Sequence, residues 1–312
     1  MSDDFTSDSQ VFGWLGFTWR APGDWTVGAV SGDAKEGYLR VDGREAPRLE
    51  LRWSPKQGTP DLERTVSRYL RTLERSRKAE PPAEVDTDAK FISRRKLGQD
   101  TMRAYTWKGR TVGYGVAWAC KQCGRVVLAQ VLGQPEEKGL EALAVRVLSS
   151  LEDHPRGDWI TWALYDLHTE MPKDFEMAGS QLRAGLTQLS FKRDPERVVV
   201  ARWGMAETAL RGKSLEQWAQ QQFGKVFRPF EPHGEEIPYR DHPAYQVRGE
   251  SLGPLGAWVR VGRHLLHQRY PDQLVAYLWH CAPTNRLYVV YGIVDLENRA
   301  LVEQIRDRTR CH

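Results

Sequence analysis

An α+β fold in two similar domains, each a mainly antiparallel sheet covered by two helices, is predicted from three observations. Blocks of residues in the first half recur, in the same order, in the second. Most apolar segments are short and alternate with polar residues, which is the period of half-buried strands. Each half also carries two longer segments of helical period, the pattern of helices laid on a sheet.

The recurrence is read block by block. Phe17-Thr18-Trp19-Arg20-Ala21-Pro22-Gly23-Asp24-Trp25 has a counterpart in Tyr165-Asp166-Leu167 through Met171-Pro172-Lys173-Asp174-Phe175. Arg52-Trp53 matches Arg202-Trp203, and Asp61-Leu62-Glu63 matches Ser214-Leu215-Glu216. Ala104-Tyr105 matches Ala244-Tyr245, and Trp118-Ala119-Cys120 with Arg125 matches Trp279-His280-Cys281 with Arg286. Ala142 to His154 aligns without a gap on Ala300 to His312. The offset wanders but the order never breaks, so a tandem duplication is the simplest account. The seam falls at His154-Pro155-Arg156-Gly157-Asp158, where Pro and Gly stop a helix. This gives a first domain over residues 11–154 and a second over 155–312. Residues 1–10, with three Asp, three Ser and one Thr, read as a disordered tail without the basic, apolar character of an export signal.

In the first copy Leu15 to Arg20 alternates and ends in the Ala21-Pro22-Gly23-Asp24 turn. Gly37 to Val41 and Arg48 to Trp53 read as the next strands. Asp61 caps a helix to about Lys78, with Leu62, Val66, Tyr69, Leu70 and Leu73 as its apolar stripe. After Pro81-Pro82 come four strands, at Phe91–Leu97, Met102–Trp107, Val112–Ala119 and Val126–Leu132, and a closing helix over Glu137–Leu151. In the second copy Leu186–Phe191 and Val198–Trp203 are strands, and Ser214 caps a helix to Phe227. Strands follow at Ala244–Arg248, Ala257–Val261, Leu274–His280 and Leu287–Tyr291, and Leu296–Arg310 closes the copy as a helix.

The strand Gly16-Phe17-Thr18-Trp19-Arg20 running into Ala21-Pro22-Gly23-Asp24-Trp25, then a hairpin, a helix, a meander and a last helix, resembles the PsbP-like fold. That fold occurs in photosystem extrinsic proteins and in bacterial lipoproteins of the DcrB type. The resemblance implies an α/β/α sandwich in each half. It also implies a role in binding and assembly without a shared catalytic site. The sequence departs from the family in being duplicated and in the expected lack of an export signal, so no periplasmic or thylakoid role is carried over.

Composition narrows the function classes. Lys plus Arg number 45 and Asp plus Glu 41, leaving a net charge of +4 over 312 residues. Such a balance excludes a whole-chain field that steers nucleic acid, although a local patch remains open. Four cysteines exclude a disulfide scaffold. No stretch approaches the roughly 20 apolar residues of a membrane-crossing helix, and a cytoplasmic location with reduced thiols is expected. There is no P-loop, no strand-linked G-x-G-x-x-G, no G-x-S-x-G and no H-E-x-x-H, so the chain is not expected to be an enzyme.

Cys120-x-x-Cys123-Gly124 is the strongest chemical signal. A turn between strands with this pattern exposes two thiolates to one metal ion, as in half of a zinc ribbon. The duplication supplies further ligands. One cluster would hold Cys120, Cys123 and His154, and the other Cys281, Cys311 and His312, with a fourth position filled by water, Asp153 or His280. Zinc is the candidate cofactor. The same residues also suit buried thiols with helix-capping histidines, or a Cys281–Cys311 disulfide. His264 and His267, three apart in a segment read as extended, fall on opposite faces and do not share a metal.

The second signal is electrostatic. At about 100° per residue, Arg64, Arg68, Arg71 and Arg75 fall within about 60° of one another, opposite the apolar stripe. Arg77, Lys78, Arg94, Arg95 and Lys96 would extend the patch. The second copy has Gln217, Gln221, Gly224 and Arg228 there, so the patch belongs to one half. Trp14, Trp107, Trp159, Trp162, Trp218 and Trp258 have no aligned partner, and a place at the domain seam or on a partner surface is expected for them. The leading reading is a non-enzymatic protein-interaction or assembly module. The alternative is a zinc-stabilised or nucleic-acid-binding adaptor that uses the Cys/His clusters and the Arg64–Arg75 stripe.

Overall fold

Leu15 and Gly16 take positive φ, 50° and 87°, and so fold the chain back where the sequence pattern ran a single strand from Leu15 to Arg20. In this computed structural model, which describes residues 9–56, 58–76, 84–99, 101–154, 156–251 and 271–311, the turn joins β1 (Ser9–Trp14) to β2 (Phe17–Pro22). Ser9 and Gln10 therefore belong to a strand, not to a disordered tail; the tail's residues 1–8 lie outside the described residues. Two compact units follow from the contacts, Met1–Arg156 and Gly157–His312.

The rest of the first unit is a seven-stranded antiparallel sheet. Its strands are β3 (Thr26–Gly32), β4 (Gly37–Asp42), β5 (Pro47–Pro55), β6 (Glu84–Asp86), β7 (Met102–Lys108), β8 (Val112–Ala119) and β9 (Arg125–Gly133). They lie in the order β3-β4-β5-β9-β8-β7-β6. Asp61 accepts a hydrogen bond from the Arg64 backbone N–H at 2.9 Å and so caps α1 (Leu62–Ser76). Val66, Leu70 and Leu73 of α1 pack on Tyr105, Trp107, Ala117 and Leu132. Two glycines make that packing fit. A Cβ at Gly115 would stand 2.1 Å from the Tyr105 ring, and one at Gly113 2.2 Å from Trp107. Gly133, next to Leu132 and so on the opposite face, lies under Leu140 of α3 (Leu140–Ser149). The sheet is thus covered by a helix on each face.

The second unit repeats this order. Tyr165 and Asp166, with φ of 48° and 60°, turn β10 (Trp159–Leu164) into β11 (Leu167–Pro172). The sheet comprises β12 (Glu176–Arg183), β13 (Leu186–Arg193), β14 (Glu196–Gly204), β15 (His233–Tyr239), β16 (His242–Glu250), β17 (Gln273–Cys281) and β18 (Arg286–Val294). Its order, β12-β13-β14-β18-β17-β16-β15, is that of the first sheet strand for strand. Ser214 and Gln217 form a reciprocal capping box at α5 (Leu215–Phe227). Trp218 and Phe223 of α5 pack on one face of the sheet. On the other face Val302 of α6 (Arg299–Arg308) meets Gly292, and Glu303 accepts from the Tyr277 hydroxyl at 2.7 Å.

Several expectations are corrected. Phe91–Leu97 is not a strand. Ser93 accepts from the Lys96 N–H and Gly98 closes the far end at φ 70°, which makes a short helix, α2 (Arg94–Leu97). With α4 (Ala206–Leu210), each unit has three helices among the described residues, where two were expected. The matched Trp53 and Trp203 lie on opposite faces. Trp53 meets Phe17 of the β1–β2 hairpin, whereas Trp203 meets Trp218 and Phe223 of α5. A slip of one residue between the copies has this effect in a strand. Trp107 sits in the core under α1, Trp218 points from α5 into the core of the second sheet, and Trp162 packs edge-on against Phe191, so these three are interior residues of their own units. Pro81-Pro82, Ala257–Val261, Trp258, His264 and His267 lie outside the described residues.

Burial also leaves a pH signature. His168 on β11 has Nδ1 shielded and without a hydrogen-bond partner among the described residues. Burial, helped by the charge of Arg310, pulls its pKa down from 6.5 to about 4. The folded state thus favours the neutral ring, and that stability is present above pH 6.5 and lost as pH falls toward 4. We expect wild type to lose about 2 kcal/mol more stability between pH 7.5 and 5 than His168→Gln does. Parallel loss of stability in the two proteins, measured by urea unfolding, would refute this.

Candidate metal-binding clusters and a basic helix face

In the first unit the end of β8 and the end of α3 converge. After Ala119 the Cys120 N–H donates to Arg125 O at 2.8 Å and the Gly124 N–H to Cys120 O at 3.1 Å. The turn needs the positive φ of Gly124, 68°. It buries Cys120 and leaves Cys123 exposed. Past α3, Glu152 and Thr18 exchange backbone hydrogen bonds of 2.8 and 3.0 Å, which carries Asp153 and His154 up to that turn. The ligand atoms of Cys120, Cys123, Asp153 and His154 all lie within 4.8 Å of one another.

Each group is held differently. Asp153 is buried and accepts from Arg125 Nε at 3.0 Å and from Trp118 Nε1 at 3.2 Å. Arg125, equally buried, also donates to Leu15 O and lies 3.9 Å over the Phe17 ring. His154 Nε2 is shielded from solvent without a hydrogen-bond partner among the described residues. Burial lowers the His154 pKa against the opposing pull of Asp153, so the neutral ring is favoured. Burial likewise pushes the Cys120 thiol up to about 11, despite the amides of the turn.

The second unit builds a related corner with other residues. Cys281 ends β17 opposite Arg286, and a short 3-10 turn, Ala282–Thr284, follows. Thr284 occupies the place of Cys123 in the C-x-x-C spacing, and its hydroxyl donates to Cys281 Sγ at 3.0 Å. Beyond α6 the Arg310 N–H donates to His168 O at 2.9 Å, as Glu152 does to Thr18 in the first unit, so Cys311 stands where Asp153 stands. Cys311 Sγ is 3.3 Å from His242 Nε2. His242, Cys281 and Cys311 are all buried, with ligand atoms within 4.8 Å.

Cys120, Cys123 and His154 are therefore brought together as the sequence pattern expects, with Asp153 as the fourth group. The second cluster differs. His312 lies outside the described residues, and the imidazole comes from His242. His280 cannot serve: it pairs with Leu287 on the α5 face, opposite to its neighbour Cys281. His242 is 39 residues before Cys281 in number but adjacent by register. Ala244 pairs with Trp279, and two residues farther along each strand face His242 to Cys281.

Arg64, Arg68, Arg71 and Arg75 are all exposed on α1, opposite the buried Val66, Leu70 and Leu73. None of the four forms an ion pair among the described residues, and Arg71 donates only to Ser67 O, at 3.2 Å. The expected extension through Arg94, Arg95 and Lys96 fails, because α2 lies against α3 on the other side of the sheet. Arg77 and Lys78 lie outside the described residues.

No protein-family model matches the chain, and no curated protein does. Solved structures similar to it do exist. One is the solution structure of the cyanobacterial PsbP of Synechocystis sp. PCC 6803, at 12% identity and a TM-score of 0.33, covering 49% of this chain and 96% of that one. Another is the type VI secretion immunity protein TplEi of Pseudomonas aeruginosa. Its apo form is 13% identical with a TM-score of 0.31, covering 99% and 98% of the two chains. Its complex with an "L" peptide is 10% identical with a TM-score of 0.30, covering 98% and 99%. Among the described residues no helix is long and apolar enough to cross a membrane.

Proposed function

We propose that this chain is a non-enzymatic interaction module, built by tandem duplication, whose first unit docks an acidic partner protein on the solvent face of α1. The identical strand order of the two sheets supports the duplication. The docking rests on one observation: four arginines, Arg64, Arg68, Arg71 and Arg75, stand exposed on one helix face without carboxylate partners among the described residues. A face of this kind repels itself until an acidic surface covers it, and arginine forks match carboxylates two bonds at a time. α5, the counterpart helix, has Gln217, Gln221 and Gly224 at the matching positions, so the docking surface belongs to one unit.

A protein partner is favoured over nucleic acid by charge. The net charge of +4 and pI near 8.8 fall short of the strongly basic balance usual for phosphate-backbone binding. The test is affinity purification with crosslinking from the native cell, using wild type and a variant carrying Arg64→Glu, Arg68→Glu, Arg71→Glu and Arg75→Glu. The expected result is a partner crosslinked to α1 and lost by at least tenfold from the variant. Equal capture by both proteins would sink the reading. So would tight, salt-sensitive filter binding of DNA or RNA by wild type alone, which would move the surface to nucleic acid.

A further inference from the structure

We infer that each unit carries its own divalent metal staple, and that zinc is the ion: Cys120, Cys123, Asp153 and His154 in the first, Cys281, Cys311 and His242 in the second. The inference is independent of the basic face of α1, which neither cluster touches in sequence.

Three observations carry it. First, the ligand atoms of each cluster lie within 4.8 Å of one another. Ligands bonded to tetrahedral zinc at about 2.0–2.3 Å stand roughly 3.3–3.8 Å apart, so side-chain adjustments of about 1 Å close either cluster. Second, His154 Nε2 is buried without a hydrogen-bond partner among the described residues, and a metal ion is the kind of group to which an imidazole lone pair there donates.

Third, the charges balance for a dication in both units, by different means. When the ion binds, each cysteine gives up its thiol proton to solvent. In the first unit two thiolates and the Asp153 carboxylate exceed the dication by one negative charge. The Arg125 guanidinium, buried on Asp153, cancels it. In the second unit Cys311 replaces the carboxylate and Thr284 replaces Cys123, so two thiolates alone match the ion. The matching arginine, Arg286, is accordingly turned away, to the half-exposed Asp166 at 2.8 Å. A buried site with no net charge avoids the large cost of burying an ion. The Thr284 hydroxyl on Cys281 Sγ is the outer-shell donor such a thiolate uses. Sulfur and imidazole ligands select zinc over magnesium or calcium.

The experiment uses the full, reduced chain, loaded with zinc, dialysed and assayed for metal and for free thiols. One equivalent of zinc per unit is expected, with Cys123, the exposed thiol, losing at least tenfold in its rate of reaction with an aromatic disulfide reagent. Cys123→Ser is expected to remove one equivalent and His242→Ala the other. Cobalt in place of zinc should give the intense visible bands of tetrahedral thiolate coordination in wild type, whose fold is not perturbed by substitution. A protein that retains no zinc, gives no thiolate–cobalt bands and keeps a fully reactive Cys123 overturns the inference. Retention of one equivalent, lost with Cys123→Ser and indifferent to His242→Ala, upholds the first site and overturns the second.

Discussion

Arg125→Ala is expected to lower the stability of the first unit by about 3–5 kcal/mol, the cost of stranding a buried charge. The side chains of Arg125 and Asp153 are only 5% and 3% exposed, so removal of the guanidinium leaves the buried carboxylate with only the Trp118 hydrogen bond among the described residues. The loss does not end there. Arg125 also ties Leu15 O, at the β1–β2 turn, to the base of β9, and covers the ring of Phe17. The contrast lies within the same chain. Arg286 forms a pair of similar length, 2.8 Å, with Asp166, but that carboxylate is 56% exposed. Arg286→Ala should therefore cost no more than about 1 kcal/mol. Urea unfolding of the two variants measures the difference. A cost for Arg125→Ala as small as that for Arg286→Ala would show that solvent reaches Asp153. The double variant Arg125→Met, Asp153→Leu should recover much of the loss, because the penalty comes from the unpaired charge rather than from the missing pair.

The sequence made the four longer helices and the central strands legible, because each carries a periodic apolar face bounded by a cap or turn. Asp61 and Ser214 mark helix starts that the structure confirms to the residue. The edge strands were not legible. β12 and β15 are largely exposed, and an edge without a buried face has no alternation to read. Phe91–Leu97 misled for the opposite reason. Phe91, Ile92 and Leu97 are apolar, but Ser93 and Gly98 are helix caps, and local capping outweighed the apolar count. At the clusters, the Cys120-x-x-Cys123 motif and His154, at the end of the first repeat, were visible in the sequence. His242 was not, since its nearness to Cys281 depends on the β16–β17 register, which a sequence motif does not contain. The pairing of Trp53 with Trp203 was a true likeness of residues and a false likeness of position. In a strand, one residue of slip exchanges the two faces.

Trp107→Ala should be the other severe substitution, costing about 3–5 kcal/mol. The indole is 1% exposed beneath Val66, Leu70 and Leu73 of α1, and it fills the space that Gly113 leaves open across the β7–β8 pair. Its Nε1 also donates to Gln130 Oε1 at 3.0 Å, while the amide of Gln130 donates to Glu50 at 2.8 Å. Truncation would leave a cavity and an unpaired buried carbonyl together. The reciprocal change overfills the same place. Gly113→Ala puts a Cβ 2.2 Å from Trp107 Nε1 and should cost about 1–3 kcal/mol, since the indole has nowhere to move under α1. If both costs arise from one shared volume, they cannot add. In the Trp107→Ala background the new methyl enters the vacated space, and the double variant should be no less stable than Trp107→Ala alone. A thermodynamic cycle of the four proteins reads this coupling directly. Additive losses would mean that Gly113 is set by backbone conformation and not by the ring above it.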